Sequence, residues 1–129
     1  MIVLDDDLSV CRGLKMQLEI LGYKVLVFHS AKRLLASAIP TGDEVCLLAD
    51  VYLPGMSGFE LCRGLAEARR QVPTILMSGR DDEETRRMIR KAKPVSSLFK
   101  PFDQVALLRA IGKAIPKDSK RQPRPCEKP

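Results

Sequence analysis

Five short apolar runs alternate with longer amphipathic stretches, and this alternation limits the fold more than any other feature of the chain. Ile2-Val3-Leu4 is the first run, followed by a helical pattern from Leu8 to Leu21 with Val10, Leu14, Leu18 and Leu21 on one face. Asp7 is placed to cap that helix and Gly22 to end it. Lys24–Phe28 predicts a second strand. Ser30 caps a helix to about Ile39 with Leu34, Leu35 and Ala38 inward, and Pro40-Thr41-Gly42-Asp43 reads as a turn. The run 45–49, Val-Cys-Leu-Leu-Ala, is continuously apolar, as a parallel strand covered on both faces requires. A loop over 53–58 precedes a helix to about Arg70 with Phe59, Cys62 and Leu65 inward. Thr74–Met77 and Val95–Phe99 predict two more strands, separated by a polar helix over 82–92. Asp103 caps a last helix lined by Val105, Leu108, Ile111 and Ile115, and Pro116 stops it. Strict alternation of this kind predicts an α/β fold, a doubly wound parallel sheet of five βα units with right-handed crossovers.

At 129 residues the chain suits one domain with one tail. Residues 1–115 form the predicted domain. Residues 116–129 hold four prolines, five basic and two acidic side chains and no apolar periodicity, which reads as a flexible tail or the start of a linker. That tail supplies +3 of the formal net charge of +6, so the basic balance reads first as solvation. No apolar run approaches the ~20 residues of a membrane span. The start, an apolar triplet followed by three aspartates, is unlike a signal peptide, and a cytoplasmic location is expected. Cys11, Cys46 and Cys62 fall in apolar periodic segments and read as small buried hydrophobes; Cys126 lies in the tail. With one histidine, His29, and no close thiol pair, a zinc site is not expected.

Each predicted strand except the second ends on a residue with chemical potential: Asp5-Asp6, Asp50, Ser78 and Lys100. Ligands of open parallel sheets bind at the carboxyl ends of the strands, beside the switch point of strand order. For the order 2-1-3-4-5, strands one and three flank that point, and Asp5, Asp6 and Asp50 share a pocket. Three clustered carboxylates either shift their pKa values upward or hold a cation. An all-oxygen donor set favours Mg²⁺, with Mn²⁺ as an alternative. A carboxylate can itself accept a phosphoryl group, a lysine can neutralise it and a hydroxyl such as that of Ser78 can bond one of its oxygens.

The segments Val3-Leu4-Asp5-Asp6-Asp7, Asp50 with Leu53-Pro54-Gly55-Met56-Ser57-Gly58, Pro73-Thr74-Ile75-Leu76-Met77-Ser78-Gly79 and Lys100-Pro101-Phe102 resemble the motif set of response-regulator receiver domains of two-component signalling, in the flavour found in nitrogen-fixation-type regulators. The resemblance covers about residues 2–115 and implies a flavodoxin-like (βα)5 fold. It further implies Asp50 as phosphoacceptor, Asp6 as a direct Mg²⁺ ligand, Asp5 acting mostly through water, and the Tyr52 carbonyl as another ligand. Ser78 would be the switch hydroxyl, Lys100 the phosphate partner, and the Lys100-Pro101 bond often cis. The implied partners are a sensor histidine kinase and an output domain or partner protein, with a homodimer possible and nucleic acid reached only through an output domain. The resemblance implies a phosphoprotein, not an enzyme turning over an external substrate.

Two positions depart from the family pattern. Ser97 stands where the family carries an aromatic residue, and Lys93-Pro94 where it carries Gly-Ala. Ser97 has little bulk to fill or vacate a pocket, so the conformational change is expected chiefly in the loop after Ser78 and the fourth helix. The departures also motivate a competing reading, a receiver-like dimerisation scaffold that works without phosphorylation. An FMN carrier is disfavoured because the first strand opens on aspartates and not on a phosphate loop, and an EF-hand is excluded by spacing. Asp7 is expected to cap rather than to ligate, His29 to sit at a strand end, and Asp82–Arg86 and Glu83–Arg87 to pair on the polar helix.

Overall fold

The computed structural model describes residues 1–40 and 44–115. The turn expected at 41–43, the helix stop at Pro116, the tail 116–129 and Cys126 lie outside the described residues. Elements alternate as β1 (Ile2–Leu4), α1 (Leu8–Ile20), β2 (Leu26–Phe28), α2 (Ala31–Ala36), β3 (Leu47–Asp50), α3 (Gly58–Glu67), β4 (Thr74–Ser78), α4 (Glu83–Ala92), β5 (Ser96–Phe99) and α5 (Gln104–Ala114). The strands form one parallel sheet in the order β2-β1-β3-β4-β5, the order that brings the ends of β1 and β3 together.

Side chains of successive strand residues point to opposite faces, which divides the core in two. Val3, Leu48, Ile75, Met77 and Leu98 pack against Cys11, Leu14 and Leu18 of α1 and Leu107, Ala110 and Ile111 of α5. Ile2, Leu4, Leu47, Ala49 and Leu76 pack against Ala31 and Leu34 of α2, Leu61 and Leu65 of α3 and Ile89 of α4. Burial of both faces is why the strands read as unbroken apolar runs.

Local signals set the helix ends. Asp7, Ser30, Ser57, Asp82 and Asp103 each accept backbone N–H groups of the first turn that follows, satisfying donors that otherwise have no intrahelical partner. Ser57 and Glu60 complete a reciprocal capping box, a Ser-x-x-Glu signal present in the sequence. Gly22 follows α1 with φ +98°, the left-handed conformation that glycine adopts without a Cβ clash. Lys93 takes the same region, φ +54°, at the end of α4, where the family pattern has glycine.

Several helix faces differ from the sequence expectation. In α5 the seam is Leu107, Ala110, Ile111 and Ala114, with Ile115 also buried, while Val105 and Leu108 are 56% and 40% exposed. Two apolar stripes overlap in that helix, and only the sheet it packs on selects between them. In α3 the buried seam is Gly58, Leu61 and Leu65; Phe59 and Cys62 are only partly covered. In α1, Cys11 rather than Val10 or Leu21 completes the buried face. In α2, which ends at Ala36, Ala38 is exposed. The expected pairs Asp82–Arg86 and Glu83–Arg87 give way to Arg80–Asp82, Asp81–Arg86 and Glu83–Arg90. The cap duty of Asp82 explains part of this: its Oδ1 accepts the Thr85 N–H at 2.8 Å while Oδ2 takes Arg80.

Candidate phosphoacceptor site

The carboxyl ends of β1, β3, β4 and β5 converge on one acidic pocket. Oxygens of Asp5, Asp6 and Asp50 lie within 4.8 Å of one another. Asp5 and Asp50 are buried, at 1% and 8% exposure, and Asp6 is exposed at the rim. The Lys100 ammonium, carried past the end of β5, donates to Asp5 Oδ2 at 2.7 Å and to Asp50 Oδ2 at 3.4 Å. Asp5 Oδ1 accepts the Asp7 N–H at 3.0 Å, which holds its carboxylate at the edge of the pocket. The Lys100-Pro101 peptide is cis.

Charge in the pocket is unevenly compensated. Burial raises the Asp50 pKa above the ordinary carboxylate value, and the neighbouring Asp5 adds to this; Lys100 and the Tyr52 N–H oppose it. Burial lowers the Lys100 pKa, but its bond to Asp5 and the charges of Asp50 and Asp5 outweigh burial, so the ammonium is held above its ordinary value. The donor set is all oxygen, with exposed Asp6 turned to solvent beside two buried acids and one cation. That arrangement fits a hard divalent ion, which the cluster of Asp5, Asp6 and Asp50 could hold.

A raised Asp50 pKa means that the folded state binds a proton more tightly than the unfolded state. Stability therefore falls as pH rises from the unfolded carboxylate value through the folded one, and at neutral pH the Asp50 anion destabilises the metal-free fold. Asp50→Asn should raise the Tm of the metal-free protein at pH 7, with the difference disappearing at acid pH. Calorimetry across that range checks the sign.

Ser78 is buried, but its hydroxyl is engaged with its own loop. It donates to the Arg80 carbonyl at 2.8 Å and accepts the Arg80 N–H at 2.9 Å. Ser97 lies in β5 opposite Leu76, on the face turned to α3 and α4. Phe99, two residues on, shares that face, and the Arg86 guanidinium lies 4.7 Å over its ring. Met56 packs against the same core. His29 sits at the end of β2 with Nδ1 3.2 Å from the Asp5 carbonyl. Burial raises the thiol pKa of Cys11 and Cys62 and pushes Cys46 up to about 12, so these three stay protonated. One contact beside the site has no signal in the sequence: Thr85, fully buried in α4, has its Oγ1 2.6 Å from the Tyr52 hydroxyl.

An open five-stranded parallel sheet in this order, with an Asp-Asp-Asp-Lys pocket and a strand-end hydroxyl, defines a class of signalling module. Comparison with known proteins agrees. The family profile of the response regulator receiver domain matches residues 1–112. Nodulation protein W of Bradyrhizobium diazoefficiens is 35% identical over 120 residues, 93% of this chain and 52% of that protein. Transcriptional regulatory protein FixJ of Rhizobium meliloti is 32% identical over 112 residues, 87% of this chain and 54% of that protein. Among solved structures, FixJ-N superposes with a TM-score of 0.79 at 31% identity, covering 88% of this chain and 90% of that one. The receiver domain titled as BeF3-activated DrrB gives 0.75 at 28% identity, covering 87% and 92%. The chain belongs to the response regulator receiver domain family. It spans about half the length of the curated relatives it matches. Among the described residues no helix is long and apolar enough to cross a membrane.

Proposed function

We propose that Asp50 accepts a phosphoryl group from the phosphohistidine of a sensor kinase and that the modified domain switches a downstream partner. The observation that carries this reading is the Lys100 ammonium shared between Asp5 and Asp50, at 2.7 and 3.4 Å, inside a cluster of three carboxylates. An Asp50 oxygen attacks phosphorus, the new P–O bond forms as the bond to the donor imidazole nitrogen breaks, and the leaving imidazole takes up a proton. Lys100 is positioned to follow the incoming negative charge from Asp50 Oδ2 to a phosphoryl oxygen. A Mg²⁺ ion held by Asp6, Asp50 and the Tyr52 carbonyl, with Asp5 acting through water, would supply further neutralisation of phosphoryl charge. Ser78, at the end of β4, would donate to another phosphoryl oxygen once freed from Arg80.

In this reading the protein is its own substrate and turns over no external one. Residues 1–115 act as the receiver unit, and the module works in the cytoplasm. The relatives named as transcriptional regulators support an output domain that would make any contact with nucleic acid. A second reading, a dimerisation scaffold independent of phosphorylation, rests on Ser97 and Lys93-Pro94 in place of the family pattern and on the exposed apolar side chains Val95, Val105 and Leu108. The two separate on aspartyl-phosphate chemistry. Incubation with acetyl phosphate and Mg²⁺ should give a singly phosphorylated species by intact-mass measurement, and chelation of the metal should remove it.

A further inference from the structure

The loops after β3 and β4 are tied by a closed circuit of four residues. The Tyr52 hydroxyl bonds Thr85 Oγ1 at 2.6 Å. Thr85 gives Asp82 its backbone N–H at 2.8 Å, and Thr85 and Arg80 together hold the Asp82 carboxyl well below the usual carboxylate range. Asp82 Oδ2 accepts from the Arg80 guanidinium at 2.8 Å, and that guanidinium returns over the Tyr52 ring at 4.7 Å from its centroid. Phe59 meets the same ring edge-on at 6.4 Å. The backbone of Arg80 is what holds the Ser78 hydroxyl through both its N–H and its carbonyl. A hydroxyl has one hydrogen, so Ser78 cannot donate to a group on Asp50 until it leaves the Arg80 carbonyl. The circuit fixes Arg80 and so opposes that departure.

We propose that Tyr52 is the positioning residue that holds the resting state, latching the loop of Ser78 to the loop of the acceptor so that switching must break the Tyr52–Thr85–Asp82–Arg80 circuit. The inference rests on the reading of Asp50 as the acceptor. It also gives the chain a coupling between pocket and α4 that does not pass through Ser97. A ligand that mimics the phosphoryl group must spend part of its differential affinity on opening the circuit, so weakening the circuit tightens that ligand.

The test is the apparent affinity for beryllofluoride with Mg²⁺, read by fluorine NMR, in the parent, Tyr52→Phe, Thr85→Val and the double variant. Tyr52→Phe keeps the ring and its stacking and loses only the hydroxyl. Each single change should tighten binding about three- to tenfold, the value of one net hydrogen bond, and the double variant should bind no tighter than the better single, because both remove the same bond. Thr85→Val removes a bond to the Tyr52 hydroxyl and leaves every metal-ligating atom of the proposed site in place, so Mg²⁺ affinity should stay within about twofold of the parent. Amide exchange over 79–86 should quicken in both single variants without beryllofluoride, while β1 and β3 stay protected. Unchanged or weaker beryllofluoride binding in Tyr52→Phe, or additive gains in the double variant, overturns the latch alone. A parent that takes up no beryllofluoride at Asp50 overturns the acceptor reading and the latch with it.

Discussion

Gly58→Ala should lower the melting temperature of the domain by about 10 °C, the equivalent of roughly 2 kcal/mol for a domain of this size. Gly58 opens α3 directly beneath the acceptor loop. A Cβ there would sit 2.5 Å from the Asp50 carbonyl oxygen, 2.9 Å from Val51 Cα and 3.2 Å from the Asp50 carbonyl carbon. All three are backbone atoms, so no side-chain rotation relieves the clash. The strand end cannot yield easily either: Val51 N–H donates to the Met77 carbonyl at 2.9 Å and its own carbonyl accepts the Gly58 N–H at 3.0 Å. Whatever movement accommodates the methyl group must displace Asp50, so the same variant should also lose affinity for a phosphoryl mimic. Thermal unfolding by circular dichroism, with Gly13→Ala as the control, measures the first effect; the Gly13 site has no neighbour within 4 Å of an added Cβ. A Gly58→Ala melting curve that overlays the parent would show that the close approach is not as tight as described.

Lys100→Met should destabilise the metal-free protein by about 2 kcal/mol or more at pH 7, and added Mg²⁺ should recover more stability in this variant than in the parent. Methionine keeps a stem of similar length and removes the ammonium, so the loss reads chiefly the charge. Asp5 is 1% exposed, and removing the ammonium at 2.7 Å leaves it beside Asp50 with no positive partner among the described residues in bonding reach. Because the folded-state pKa of Lys100 is raised, its own titration removes its contribution only as pH rises from the ordinary lysine value through the folded one. The stability gap between parent and variant should therefore persist across neutral pH and close in strong alkali. Acid should also shrink it, as Asp50 takes up a proton. Calorimetry with and without Mg²⁺ reads both effects, and equal Mg²⁺ stabilisation of the two proteins would separate Lys100 from the proposed metal site.

The pocket was legible in the chain because a parallel strand is apolar along its whole length and the polar residue that ends it marks the ligand-binding edge. Asp5, Asp50, Ser78 and Lys100 all announce themselves in this way, and β-strand order then brings them together. Strand boundaries moved by one or two residues where pairing ran out: β2 begins at Leu26, not Lys24, and β3 at Leu47, not Val45. Helix phase was less legible. Val105, Leu107, Leu108 and Ile111 offer two apolar stripes about equally well, and the choice is made by the sheet face the helix packs on. Tyr52 and Thr85 were invisible as a pair, since 33 residues separate them and neither type marks a contact. The Arg86 stack on Phe99 was hidden for a similar reason: its spacing to Asp82 suggested a helical pair, yet Asp82 is taken by the helix cap and Arg80.

The account stands most directly on one measurement, the intact mass of parent and Asp50→Asn after incubation with acetyl phosphate and Mg²⁺, followed by peptide mapping. The parent should gain one phosphoryl group, mapped to the peptide that contains Asp50, and Asp50→Asn should gain none while remaining folded. A phosphoryl adduct of equal yield in Asp50→Asn, or a folded, metal-loaded parent that gains none, would contradict the assignment of this pocket as the phosphoacceptor site.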